Sequence, residues 1–364
     1  MDFNTNRGHN TYVICRTLPS LRSLPDKNLK HAIDASIAEY LPDLEAFDRA
    51  LPAHFHRKSE AAWLEFTCAT VHVCNLLSNF CLSRRQAAAM MQHIDLLYRA
   101  DDFMETVVDA YGILDLSVAF ESLRRCFQPY ISSYACKSSQ SRPGFRRIDS
   151  PVEGQASIAN PIQFEHDLQD VVGRMHCYPI SEANPQDSQW FSLELYDFLL
   201  AQLEQLNGDR PKTVIPGRLH KWITNVGARS VGTNYMFAMY TCLVSAEGRK
   251  GKSLWRSASS LYIAQEFAQQ ISVEFRVLND VGGRVRDRRD GTMSCCALVQ
   301  DEGFEELLEI AEHAAERSAK LLDQLVERSA GGGQGVRDLL EMFRRSVRVS
   351  GELYMADEPN RGTS

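Results

Sequence analysis

The stretch that decides the fold is RRQAAAMMQHIDLLYRADDFMETVVDA, residues 84–110. Apolar residues recur in it at three- and four-residue spacing, the period of one face of an α-helix. Ser83 precedes it, and a serine hydroxyl at that position can accept a hydrogen bond from the first helical turn. We therefore predict an amphipathic helix that begins near Arg84.

The same period extends outward from this helix over most of the chain. Strict alternation of apolar and polar residues, which would indicate half-buried strands, is absent. The sequence therefore predicts an all-α protein folded as a single helical bundle. The other stretches with helical periodicity are 59–81, 116–134, 186–206, 216–246, 255–289, 302–329 and 335–355.

One segment interrupts the helical pattern. Residues 137–161 are rich in Ser, Gly, Pro and Arg, which favours a surface insertion. Because helical stretches flank this insertion, we predict one helical domain over 56–356 that carries it. We expect residues 1–55 to form an N-terminal segment packed on that domain, and residues 357–364 to form a mobile tail or lid.

The composition excludes several classes of function. A net charge of −7 and a pI near 5.8 give no electrostatic reason to bind nucleic acid. No apolar run reaches about 18 residues, so no membrane span is expected. Residues 1–10 are polar and lack the apolar core of a signal peptide. We expect a cytoplasmic monomer or homodimer whose cysteines, which form no Cys-x-x-Cys pair, are free thiols.

The first cluster of candidate functional residues is Asp101-Asp102-Phe103-Met104-Glu105. Asp101 and Glu105 are four residues apart and share one helix face, with Asp102 beside them. Clustered carboxylates repel one another, and hard oxygen ligands of this kind suit Mg²⁺. The alternative is an ordinary solvated acidic face.

The second cluster lies within residues 279–287, with the sequence NDVGGRVRD. Asn279, Gly283 and Asp287 follow one another at four-residue spacing and form one stripe along a helix. Asn279 and Asp287 offer oxygen ligands, and a water molecule would stand at Gly283. Arg286 lies beside the stripe and could bind a phosphate oxygen. The alternative is a frayed helix end.

A third candidate is Arg229, which lies between small residues in the segment Gly227-Ala228-Arg229-Ser230-Val231-Gly232. An arginine in an apolar helical stretch needs a partner, and its guanidinium group fits a phosphate well. A structural salt bridge to a carboxylate is the alternative.

Together these three clusters resemble those of the class I terpene cyclases of microbial type. Residues 101–105 are similar to the aspartate-rich motif of that family, residues 279–287 to its second metal motif, and Arg229 to its diphosphate-sensing arginine. Arg361 resembles the arginine of the family's terminal Arg-Tyr pair. The resemblance covers about residues 55–362.

Three positions depart from the family pattern. Gly283 stands where the family usually has Ser or Thr, Asp287 where it usually has Glu, and Gly362 where it has the terminal Tyr. The carboxylate of Asp287 is therefore one methylene shorter, and Arg361 alone would reach the diphosphate from the tail.

The resemblance implies a bundle of helices around a central apolar active-site cavity. It implies that a prenyl diphosphate substrate is held by three Mg²⁺ ions and then ionised and cyclised. The implied metal-binding residues are Asp101, Asp102, Glu105, Asn279, Gly283 (through water) and Asp287. The implied diphosphate-binding residues are Arg229, Arg286 and Arg361, and the implied catalytic residues are Asp101, Arg229, Asn279 and Asp287.

The many small residues of these helices leave room for a long substrate. They slightly favour the C20 substrate geranylgeranyl diphosphate over the C15 substrate farnesyl diphosphate. Two other functions stay open: a prenyl chain-elongating diphosphate synthase, and a non-catalytic helical interaction protein.

Overall fold

The structure is a computed structural model that describes residues 83–131, 160–207, 216–248, 252–290, 293–299, 303–328, most of 336–351, and Ala46, Ala50 and Leu51. Within these ranges the chain is helical and forms no β-strand, so the prediction of an all-α fold is confirmed. In chain order the α-helices whose bounds the structure describes are α1 Arg84–Glu105, α2 Leu116–Phe127, α3 Pro161–Met175, α4 Pro185–Leu206, α5 Pro216–Trp222, α6 Ala228–Ser230, α7 Thr233–Leu243, α8 Ala258–Asp290 and α9 Phe304–Arg328.

Helix starts follow the local sequence. Ser83 caps α1 with a full capping box, since its hydroxyl accepts from the backbone N–H of Gln86 and the Gln86 side chain accepts from the Ser83 N–H. Pro185 opens α4 behind the cap Asn184, as a proline with no N–H to satisfy can. Asn160 and Pro161 open α3 in the same way. The sequence analysis did not predict α3.

The stretch predicted as one helix over 216–246 is broken in the structure. A π-helical segment, Ile223–Gly227, follows α5, and the short α6 follows it directly. Gly232 then separates α6 from α7 with a φ of 72°, a left-handed conformation that favours glycine. A second π-helical segment, Val244–Gly248, follows α7.

Helix α4 lies at the centre of the bundle, where it contacts α1, α2, α6 and α7. Helices α8 and α9 pack along each other, and α7 packs on α8. The core between them is rich in aromatic rings: Phe237 contacts Phe267, Phe343 and Trp255, with ring centroids 4.9–6.1 Å apart. Leu51 is also part of this core.

Other predictions about organisation stay untested. The helix expected over 59–81 and the tail 357–364 lie outside the described residues. So does the insertion 137–161, except for its last two residues, Asn160 and Pro161, which begin α3. None of the helices within the described ranges is long and apolar enough to cross a membrane.

Candidate active site

The first acidic cluster lies in the last turn of α1. Asp101 and Asp102 are half-buried, and Glu105, the final residue of the helix, is exposed. Phe103 and Met104, which are buried, anchor this turn in the core. The helix face that carries Asp101 is therefore at the edge of the core rather than fully in solvent.

The helix break before α7, which we take as residues 227–232, packs against the same helix. A Cβ added to Gly232 would lie 2.3 Å from Cδ1 of Leu97, so only glycine allows this approach. Leu97 is one helical turn before Asp101 and shares its face. The segment that carries Arg229 is thereby held one turn away from Asp101.

The second cluster lies on α8, which continues without interruption to Asp290. The alternative of a frayed helix end at residues 279–287 is therefore wrong. Asp287 is buried with 5% exposure, and Gly283 is buried as well. The Oδ1 atom of Asn279 is buried and has no hydrogen-bond partner among the described residues. A buried amide oxygen without a donor costs roughly 1–3 kcal/mol unless a ligand satisfies it.

Arg276, one turn before Asn279, connects α8 to the break. Its Nη1 atom donates to the Ser230 hydroxyl at 3.3 Å, and Nη2 forms an ion pair with Asp280 at 2.8 Å. A Cβ added to Gly227 would lie 3.1 Å from Cγ of Arg276, so the segment before Arg229 lies directly on this side chain.

Two contacts between α1 and α7 show the relative direction of these helices. Gln86, near the start of α1, donates to the carbonyl of Leu243 at the end of α7 at 3.2 Å. Leu97, nearer the end of α1, contacts Gly232 just before α7 begins. The two helices are therefore antiparallel.

Helix α7 is antiparallel to α8 by the same kind of contact. Ser272 donates to Asn234 at 2.6 Å, whereas the earlier Phe267 packs on the later Phe237. Helices α1 and α8 are thus parallel, and the clusters at Asp101 and Asn279 lie toward the same end of the bundle.

Arg229 is held by two carboxylates of α4. Its Nη2 atom is 3.0 Å from Oδ1 of Asp197 and its Nη1 atom is 3.3 Å from Oε2 of Glu204. Nη1 also donates to the carbonyl of Asn225 at 2.8 Å. The Nε atom is buried and has no hydrogen-bond partner among the described residues. Arg229 therefore forms the structural salt bridge that was the alternative interpretation. Its Nε–H group is the one that no described residue accepts.

The oxygen-bearing side chains at this end are of the kind that binds Mg²⁺. Carboxylate oxygens, as in Asp101 and Asp287, and the amide oxygen of Asn279 are the hard oxygen ligands that this ion prefers. Within the described residues, no three His, Cys, Asp or Glu side chains lie together as a metal-binding group.

Two predicted diphosphate ligands fall beyond what the structure describes. The side chain of Arg286 and all of Arg361 lie outside the described residues.

Sequence reasoning missed the ion pairs behind the candidate residues. Arg276 and Asp280 are four apart in the sequence, a spacing that indicates a helical ion pair once α8 is recognised. Asp197 and Glu204 are far from Arg229 in sequence, and only the packing of α4 on the break brings them together.

Solved structures share this architecture. The linalool/nerolidol synthase of Streptomyces clavuligerus, solved with 2-fluorogeranyl diphosphate, superposes with a TM-score of 0.53 at 14% identity, over 91% of this chain and 94% of that one. A variant of cucumene synthase gives a TM-score of 0.51 at 16% identity, over 88% and 94%. The chain therefore has the class I terpene synthase fold, as predicted.

Curated relatives are also terpene synthases. Pimaradiene synthase of Emericella nidulans is 24% identical over 86% of this chain and 35% of its own length. An ent-kaur-16-ene synthase of Phaeosphaeria sp. is 30% identical over 38% of this chain and 14% of its own length. The ent-kaur-16-ene synthase of Fusarium fujikuroi is 23% identical over 74% of this chain and 30% of its own length. The chain spans about a third or less of these relatives. No family model matches it.

Proposed function

We propose that the protein is a magnesium-dependent class I terpene cyclase that ionises a prenyl diphosphate and folds the resulting carbocation into a ring system. The observation that carries the proposal is the buried Oδ1 of Asn279 on α8, which no described residue satisfies with a hydrogen bond. It lies toward the same end of the bundle as Asp101, and the break that carries Arg229 packs on both helices.

The oxygen-bearing side chains of the two clusters would hold the metal ions. Asp101, Asp102 and Glu105 on one side, and Asn279, Asp287 and a water at Gly283 on the other, would hold Mg²⁺, three ions in all. Bound Mg²⁺ would supply Lewis acidity that stabilises the charge of the departing diphosphate.

The arginines would bind the diphosphate directly. Arg229 would donate from its Nε, which has no partner in the described part of the chain, and Arg286 and Arg361 would add further charge-assisted hydrogen bonds. Together these donors would favour heterolysis of the allylic C–O bond, because they bind the charge that develops on the leaving group. The apolar interior would exclude the water that quenches a carbocation.

We favour a C20 substrate, geranylgeranyl diphosphate, over a C15 one. Support comes from the small residues of the site helices and from curated relatives that make the diterpenes pimaradiene and ent-kaurene. One relative is named a bifunctional ent-kaurene synthase, of which this chain matches 30% of the length. Because that relative is named as bifunctional, a pre-cyclised C20 diphosphate belongs among the test substrates.

The test is incubation with geranyl, farnesyl, geranylgeranyl and a pre-cyclised C20 diphosphate, each with Mg²⁺ and with EDTA, followed by gas chromatography with mass spectrometry. We expect a cyclic hydrocarbon or alcohol from a C20 substrate, formed only with Mg²⁺. A longer diphosphate, formed when isopentenyl diphosphate is added, would instead indicate chain elongation. Absence of any product, together with no joint binding of Mg²⁺ and pyrophosphate by calorimetry, would favour a non-catalytic protein.

A further inference from the structure

The ion pair between Arg276 and Asp280 is buried, with side-chain exposures of 8% and 1%. Neither residue belongs to the candidate ligand set. Their contacts join three segments that are separate in sequence: the break before α7, the turn of α8 that carries Asn279, and the segment after α8.

Contacts on the first segment are made by Arg276. Its Nη1 atom donates to Oγ of Ser230 at 3.3 Å, and Ser230 in turn donates to the carbonyl of Gly227 at 3.0 Å. The guanidinium group lies over the ring of Trp222, 5.0 Å from the ring centre. Gln202 fixes the other side of Ser230, because its Nε2 donates to the Ser230 carbonyl at 2.8 Å.

Contacts on the third segment are shared by the pair. Oδ2 of Asp280 accepts from the backbone N–H of Cys295 at 2.6 Å, and Nη2 of Arg276 donates to the carbonyl of Met293 at 3.3 Å. The pair thus holds the chain after α8 against the helix at the level of Asn279.

We propose that Arg276 and Asp280 are positioning residues of the proposed reaction: they fix the break that carries Arg229 at a set distance from the turn of α8 that carries Asn279. This inference rests on the proposed function. Its physical basis is that Arg229 is the neighbour of Ser230 and Asn279 is the neighbour of Asp280. A shift of about 1 Å would misplace Arg229 relative to the diphosphate or Asn279 relative to the metal ion, and such misplacement can cost roughly 10²-fold in rate.

The test compares Ser230→Ala with Ser318→Ala. Both serines are buried and donate to the carbonyl three residues earlier, at 3.0 and 2.8 Å, but only Ser230 accepts from Arg276. We expect Ser230→Ala to lower kcat roughly tenfold with KM within about threefold. We expect Ser318→Ala to leave both constants near wild type.

Arg276→Met keeps the length of the stem and removes the charge, but it leaves the buried Asp280 carboxylate without this partner and can unfold the protein. If it folds, we expect a larger loss of kcat than from Ser230→Ala. The double variant should be no worse than Arg276→Met alone, because both changes break one connection.

Hydrogen–deuterium exchange tests the connection without turnover. Amides in 227–232 and in 279–283 should exchange faster in Ser230→Ala than in Ser318→Ala. Equal exchange and equal kcat in these two variants would overturn the inference while wild-type turnover stands. A wild-type protein without turnover would defeat the proposed function, and with it the positioning role; faster exchange would then mark the connection as structural only.

Discussion

At the residue scale, the side chain of Asn279 carries a buried polar atom that a ligand would satisfy. Its Oδ1 atom is buried and unsatisfied among the described residues, although α8 around it is continuous. Native proteins satisfy most buried polar atoms, and exceptions often mark functional sites. A metal ion bound at this oxygen would remove the penalty.

The variant Asn279→Ala therefore tests whether this side chain is a metal ligand or a structural amide. We expect turnover to fall by more than the roughly 10- to 100-fold that loss of an outer-sphere partner causes. The free energy of unfolding without metal should stay within about 1 kcal/mol of wild type, because the change also removes an unsatisfied group. Urea unfolding and steady-state assays measure both. Large destabilisation with retained turnover would assign Asn279 a structural role.

His93 on α1 is a second buried polar group with a measurable consequence. Its Nδ1 is 2.8 Å from the hydroxyl of Tyr235 and its Nε2 is 3.3 Å from the carbonyl of Tyr178. Burial lowers the pKa of this imidazole from 6.5 to about 4. The ring is therefore neutral in the folded protein, whereas in the unfolded chain it takes up a proton below about pH 6.5.

The stability contributed by neutral His93 is therefore complete above about pH 6.5 and is lost as the pH falls toward 4. Between pH 7.5 and pH 5 we expect this ring to lower the free energy of unfolding by about 2 kcal/mol. His93→Gln should lose this part of the pH dependence. Comparison with wild type cancels other groups, such as Glu194, whose pKa burial raises to about 7 and which acts in the opposite direction. Parallel pH profiles would contradict the account.

At the element scale, the helix break at Gly232 depends on one residue. The sequence analysis singled out the segment 227–232 but predicted a continuous helix, because apolar periodicity runs through it. Nothing in the local pattern reveals that Leu97 occupies the space a Cβ would need. That contact is between residues far apart in the sequence.

Gly232→Ala should cost about 2–4 kcal/mol, since it combines a φ of 72° with a Cβ 2.3 Å from Leu97. Gly173→Ala in α3 is the matched control. No neighbouring atom of the described residues lies within 4 Å of its added Cβ, so there we expect a gain of up to about 1 kcal/mol. Thermal unfolding of both variants measures the contrast. A Gly232→Ala protein as stable as wild type would mean that the break is not held in this conformation.

Local chemistry made other elements predictable. Ser83 marks a helix start that the structure confirms, and Pro185 opens α4 next to the predicted helix 186–206. The start of α3 carries a similar signal, a cap at Asn160 followed by Pro161, but the Ser- and Gly-rich sequence just before it hid the change to helical spacing. Boundaries are therefore most easily missed where a loop-like composition adjoins a helix.

At the scale of the whole molecule, the all-α fold was predictable because helical periodicity covers most of the chain. The order of the three clusters along the sequence pointed to the terpene synthase fold, and the comparisons agree. The partners of the candidate residues were not predictable. Asp197 and Glu204 meet Arg229 only because α4 packs on the break, which depends on the whole bundle.

The central claim is that Asp101 and Asn279, from two parallel helices, hold Mg²⁺ and diphosphate between them. The most direct measurement is the anomalous diffraction of crystals grown with Mn²⁺ and pyrophosphate, with Asn279→Ala as the control. We expect metal peaks within coordination distance of Asp101 and Asn279, joined by the diphosphate, and loss of the Asn279 peak in the variant. Metal bound elsewhere, or pyrophosphate bound without either residue, would contradict the account.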